Sequence, residues 1–192
     1  YKYICGALLL ALSIPGAAHA AVSITEVAWM GTSESQYSEW FELYNDGDSS
    51  ISLSGWKLVE GSGATIIALT KTIQAGGYLL VERTTASAPD AVPGINDESG
   101  PFGGGGLANT GEDVLLKTAT GAVEDELDYA SGWPAGDATT KETMQWSGSG
   151  WVTAPASPKE GYTGGGTTPE DSTTTSVKPE DEDPYPIPKI SP

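Results

Sequence analysis

The sequence predicts an all-β sandwich or barrel, and three observations carry that expectation. Short segments alternate apolar and polar residues with period two, and Gly, Pro, Asn and Asp turns separate them. No stretch of useful length carries the 3.6-residue apolar stripe of an amphipathic helix. All six tryptophans lie between residues 29 and 151, which places the core in that interval.

The first predicted strand is Val22–Ala28. The clearest pair follows, Glu39–Tyr44 and Ile51–Val59. In the former, Phe41 and Leu43 alternate with Trp40, Glu42 and Tyr44, the pattern of a half-buried strand. The intervening Asn45-Asp46-Gly47-Asp48-Ser49-Ser50 is made of residues that tolerate positive φ or bond their own backbone. Gly55 breaks the alternation of the second strand just before Trp56, the mark of a bulge or a close backbone approach. Thr65–Leu69 comes next, then Tyr78–Arg83, where Gly76-Gly77 turns the chain into a buried central strand. Asp113–Thr118 and Val123–Tyr129, joined by Ala119-Thr120-Gly121-Ala122, read as a hairpin. Thr143–Trp146 and Trp151–Thr153 close the series. Residues 84–108 form a long, weakly patterned connection ending in Gly103-Gly104-Gly105-Gly106. It is expected to be an exposed crossover with a flexible tip, the alternative being a binding loop.

The ends have different compositions. Lys2, the apolar run Ile4 to Ile14, Pro15-Gly16 and Ala18-His19-Ala20 form a secretory signal peptide over residues 1–20, with cleavage expected after Ala20. The run is too short to span a bilayer comfortably. Cys5 lies at the wrong end of the run for a lipoprotein. The product is expected to be secreted or to reside in the cell envelope, with the folded domain over residues 21–162. Residues 163–192, with Gly-Gly-Gly, Thr-Thr-Pro and Glu180-Asp181-Glu182-Asp183, read as a disordered, acidic, Thr/Pro-rich linker. Such a linker is expected to lead to an anchor or another module, and membrane contact is expected only through that anchor.

Removing residues 1–20 removes the one cysteine and the one histidine. Cys-His and Ser-His-Asp catalysis and His- or Cys-ligated zinc are thereby excluded for the mature chain. The formal charge is −17, and residues 21–162 hold 20 acids against 6 bases. Such a field repels phosphate backbones, so direct nucleic-acid binding is not expected, and cations or a basic partner suit it better.

Several acids invite a chemical reading. Glu26, Glu39 and Glu42 sit inside strand-like motifs, but Glu39 and Glu42 are three apart on one strand and point to opposite faces. They cannot act as an acid/base pair and are expected to be solvated or edge-capping carboxylates. Asp125 shares a predicted face with Val123, Leu127 and Tyr129, and is expected to bond backbone amides of a neighbouring loop, because an unpaired buried carboxylate is costly. Asp46 and Asp48, or Asp97 and Glu98, offer oxygen ligands for calcium, but neither segment has the spacing of a calcium loop. Turn chemistry explains both. Among the tryptophans, Trp29, Trp40, Trp56, Trp133, Trp146 and Trp151, the expected use is core packing. Trp40 and Tyr44 share a face with Glu42 and are the candidates for exposed, ligand-stacking rings.

The motifs also have an informative order: Ile24-Thr25-Glu26-Val27, Glu39 through Asn45, Ile51 through Leu58, Ile73 through Val81, Leu107 through Leu116, Asp125 through Tyr129, Trp133 and Trp151. This succession resembles the lamin-tail domain across residues 22–162, in a secreted bacterial form, since a signal peptide precedes it and no heptad rod does. The resemblance implies an immunoglobulin-like β-sandwich with no catalytic residues to carry over. Ser157-Pro158-Lys159-Glu160-Gly161 stands where the family often closes with a Thr-Pro-Gly turn. The expected function is that of a non-catalytic binding or positioning module whose partner is a protein or a surface polymer. The alternatives are an accessory domain of a larger secreted hydrolase or nuclease, and a calcium- or carbohydrate-binding module. Resident cofactors are not expected, and the oligomeric state is left open.

Overall fold

The computed structural model describes residues 21–84, 91–93, 95 and 97–164; the expected signal peptide and the linker from residue 165 onward lie outside them. Twelve strands are present: β1 (Val22–Ala28), β2 (Trp40–Asn45), β3 (Ile51–Ser52), β4 (Lys57–Glu60), β5 (Thr65–Ala68), β6 (Thr72–Ile73), β7 (Tyr78–Arg83), β8 (Glu98–Gly100), β9 (Asp113–Lys117), β10 (Val123–Asp128), β11 (Thr143–Trp146) and β12 (Trp151–Ala154). Six of them form a large sheet in the order β12–β11–β1–β2–β7–β8, four form a small sheet in the order β10–β9–β4–β5, and β3 and β6 make a separate ribbon. Pairing is antiparallel throughout except between β7 and β8. This is the immunoglobulin-like sandwich that the resemblance implies.

One continuous cluster of buried side chains joins the sheets, with Ile24, Val27, Phe41, Leu43, Val81 and Met144 from the large sheet and Leu58, Val114, Leu116 and Leu127 from the small one. Phe41 meets Phe102 at 5.7 Å between ring centroids, so the connection after β7 also contributes to the core. Burying a side chain such as Leu43 or Phe41 stabilises the fold by about 2–3 kcal/mol. Asn45, fully buried at the end of β2, donates from Nδ2 to the carbonyls of Ser49 (2.9 Å), Ile73 (3.2 Å) and Gln74 (3.1 Å). Its Oδ1 accepts from the Gly47 amide at 3.0 Å, which fixes the turn that the sequence marks.

Strands β1, β7 and β11 have the predicted bounds, and β9 and β10 form the predicted hairpin. Three expectations are corrected. Ile51–Val59 is two strands, because Trp56 N–H bonds the Leu53 carbonyl (2.9 Å) in a turn that needs Gly55 at φ 82°. That turn carries the chain from the ribbon into the small sheet. Second, the described part of the 84–108 connection is packed rather than an exposed crossover with a flexible tip. It supplies β8, and its glycine run forms a 3₁₀ turn over Gly103–Gly105. Gly103 and Gly106 are close-approach residues, since a Cβ on Gly103 would lie 2.2 Å from the Thr65 carbonyl oxygen and one on Gly106 2.0 Å from Nη1 of Arg83, whereas Gly105 has open space beside it. Third, Trp40 is 1% exposed, so it is no platform for a ligand. β2 is covered on both faces: the sandwich core lies on one, and Val92 and Ser157–Lys159 lie over the sheet's other face, donating backbone N–H groups to Glu82, Glu26 and Glu42.

Candidate functional site

On that second face the large sheet carries a layer of buried glutamates. Glu26 and Glu42 are direct cross-strand partners, because the register shifts by one residue after Ile24. Both are 1% exposed. Glu26 Oε1 accepts from Thr143 Oγ1 (2.5 Å), Gln145 Nε2 (3.1 Å) and the Ser157 amide (3.1 Å), while its Oε2 accepts from Ser157 Oγ (2.9 Å). Glu42 accepts from Thr25 Oγ1 (2.9 Å) and from the Lys159 amide (2.6 Å). The Lys159 ammonium turns away from both, to the Tyr78 carbonyl at 2.5 Å and the Asp97 carboxylate. Residues 157–159 thus form a strap clasped by two adjacent carboxylates.

Burial raises the pKa of both, against the pull of their donors. Glu42, with Glu26 beside it adding to the rise, is lifted to about 7. Glu39, on the other face of β2, is also raised by burial, although the Leu107 amide (2.9 Å) and the Arg83 guanidinium (3.0 Å) oppose the shift. The expectation that these three acids are solvated or edge-capping is therefore corrected; they are internal. Glu39 and Glu42 do lie apart, as strand geometry requires. The pair that meets is Glu26 with Glu42; both also line a small chamber on this face.

Beside this layer lies a groove with a simple origin. β11 pairs with β1 only at Glu26 and Val27, because it ends at Trp146. The N-terminal half of β1 consequently has no strand partner on that side. Its outward amides are closed by β10: Asp125 Oδ2 accepts from Ile24 N at 2.7 Å, and Glu124 Oε1 from Val22 N at 3.3 Å and Ala21 N at 2.8 Å. Asp125 thus has the kind of role expected for it, on a strand rather than a loop. The space left between β1, β10 and the β11–β12 hairpin is a cavity of about 600 Å³, lined by Tyr44, Tyr129, Trp146 and Trp151 together with Asp125 and Glu126. A smaller chamber of about 260 Å³ adjoins it, sharing Thr25, Tyr44, Trp146 and Gly148. Trp146 and Trp151 are cross-strand partners packed edge to face, 5.6 Å between centroids, and Trp146 is 42% exposed. Tyr44 packs against Tyr78 with the rings tilted by 34°, 4.6 Å between centroids. Of the two rings singled out from sequence, Tyr44 reaches the groove and Trp40 does not.

Of the acids considered as calcium ligands, Asp97 and Glu98 have other partners. Glu98, buried in β8, accepts from the amides of Thr70 (2.6 Å) and Lys71 (3.1 Å), and Asp97 accepts from the Leu80 amide at 2.9 Å as well as pairing with Lys159. Asp46 and Asp48 lie exposed in the turn after β2. Among the described residues, no group of three or more His, Cys, Asp or Glu side chains is gathered as a metal site. Sequence reasoning missed the exposed Trp146 and the half-buried Trp151 as the pair at the groove. The available signal was Ser147-Gly148-Ser149-Gly150 between them, a short turn that sets the two rings opposite each other.

The protein-family model described as Lamin Tail Domain matches residues 15–131. Strands β11 and β12 lie beyond that span but belong to the same sheet as β1 and β2. No curated protein matches the chain.

Proposed function

Because the chain belongs to the lamin tail domain family, whose immunoglobulin-like fold is a non-catalytic module, we propose that it is an exported binding or positioning module. The groove beside the β11–β12 hairpin would be its contact surface. The observation that carries this reading is the pairing of an exposed Trp146 with an open, aromatic-lined cavity on a domain whose buried carboxylates are occupied by its own donors. Exposing a large ring at the rim of a concavity costs hydrophobic stabilisation, and a ligand recovers it. Export is supported by the composition of residues 1–20 and by Ala21. Its nitrogen lies 2.8 Å from Glu124 Oε1. Cleavage after Ala20 would create an α-ammonium there, already facing a carboxylate.

The test is a secretion and binding experiment on the full chain. The exported product is expected to begin at Ala21, to bind isolated cell-envelope material saturably and to release no fragments from it. Binding is expected to weaken in Trp146→Ala and Trp151→Ala. A product retaining residues 1–20 inside the cell would contradict the export reading. Absence of saturable binding, or turnover of the envelope polymer abolished by Glu42→Gln, would contradict the module reading.

A further inference from the structure

We propose that the groove takes a cationic side chain, a lysine or arginine presented by an extended basic peptide segment. This rests on the reading of the domain as a binding module and specifies its ligand. Two features coincide at the site. Trp146, Trp151, Tyr129 and Tyr44 supply aromatic rings, and the exposed Glu126 supplies negative charge, with Asp125 adding to it while it accepts from the Ile24 and Glu126 amides. A cation over an aromatic face gains from the ring quadrupole as well as from neighbouring carboxylates. A neutral saccharide gains from the rings alone, and an anionic polymer is repelled.

The distribution of bases sharpens the choice. Among the described residues, no lysine or arginine lines the groove or the adjoining chamber. Arg83 is paired with Glu39 and Lys159 with Asp97, while the Lys141 ammonium donates to the Met30 carbonyl at 3.0 Å. Lys57 and Lys117 stand opposite each other in the small sheet, away from the groove. With 20 acids and 6 bases over residues 21–162, the whole domain draws cations toward its surface, and the groove adds a local, ring-lined place for them. The exposed edge of β1 offers no alternative mode. Its Val22 and Ile24 amides are occupied by Glu124 and Asp125. A peptide therefore cannot join the sheet as a further strand there, and recognition falls to side chains.

The probes are hexalysine, the same peptide with every side-chain amine acetylated, and a neutral N-acetylglucosamine hexamer, each titrated calorimetrically into the full chain. Hexalysine is expected to bind saturably and the acetylated peptide not to bind. Trp146→Ala, which leaves the net charge unchanged, is expected to weaken hexalysine binding by about tenfold, the scale of a desolvated cation–π contact. Trp146→Phe keeps a ring, is expected to lose less, and serves as the test if the alanine variant fails to fold. Glu126→Lys, on an exposed position, is expected to weaken binding as well. Hexalysine binding unchanged by Trp146→Ala and Trp146→Phe would reduce the effect to diffuse attraction and overturn the proposal. Sugar binding that depends on Trp146, without hexalysine binding, would overturn the cationic ligand yet leave the binding module standing. No binding of either probe would bring down both.

Discussion

Two neighbouring regions carry carboxylates, one on the large sheet and one on β10 of the small sheet, and they use them differently. Beneath the strap, Glu26 and Glu42 are buried and clasped by hydroxyl, amide and backbone donors from β1, β11 and residues 157–159. Beside it, Asp125 and Glu126 line an open groove with aromatic rings; Asp125 also accepts from the Ile24 and Glu126 amides, whereas Glu126 is exposed. Burial and the supply of donors separate these roles; the residue type does not. The same holds for the tryptophans. Trp40 is internal because loops cover the second face of β2, whereas Trp146 is exposed because β11 ends there.

The sharpest contrast is between those two rings. Trp40→Ala is expected to destabilise the fold by about 3–5 kcal/mol, the usual cost of emptying a buried aromatic site. Trp146→Ala should cost less than about 1 kcal/mol while weakening ligand binding. Urea denaturation of the two variants checks this, and equal losses would erase the distinction.

A smaller loss is expected from removing a clasping carboxylate. Glu26→Ala takes the acceptor from the Ser157 amide and one partner each from Gln145 Nε2, Thr143 Oγ1 and Ser157 Oγ, which keep Pro155, Ala154 and Gln145 as partners, at an expected cost of about 2 kcal/mol. Amide exchange should also rise at residue 157 in that variant. Unchanged protection there would mean that the strap is held by something else.

The glutamate layer also predicts a pH dependence. Glu42 has a folded pKa of about 7 against an ordinary value of 4.5, so the folded state binds the additional proton. The corresponding stability is fully present below about 4.5 and is lost as pH rises through about 7, to an extent of up to roughly 3 kcal/mol. Glu26 and Glu39, also raised by burial, add in the same direction. The chain should therefore melt at a higher temperature at pH 5 than at pH 8. Glu42→Gln should flatten that dependence, and an unaltered slope would remove Glu42 as its source.

The smallest effect concerns the start of β1. Glu124→Gln should cost about 1 kcal/mol in a chain beginning at Ala21 and less in one that retains residues 1–20, because only the former places an α-ammonium beside the carboxylate. Equal losses in thermal denaturation would show that the charge contributes nothing.

Much of this was legible from local pattern. Val22–Ala28, Tyr78–Arg83 and Thr143–Trp146 could be bounded from alternation because each is long enough to show it. β6 and β8, with two and three residues, could not, since pairing to distant partners creates them. Alternation also assumes one wet face, and that assumption misplaced Trp40, Glu26 and Glu42, which lie in a strand pair covered on both sides. The meeting of Glu26 with Glu42 depends on a register shift after Ile24 that only the folded pairing fixes. Likewise the groove arises from where β11 stops relative to β1, a relation between distant segments.

The separation of ligand-facing and structural carboxylates is tested most directly by backbone amide chemical shifts during a hexalysine titration. The expected perturbations lie at Asp125, Glu126, Tyr129, Trp146 and Trp151, with Ser157 and Lys159 unmoved. Perturbations centred on the strap, or spread evenly over the acidic surface, would contradict it.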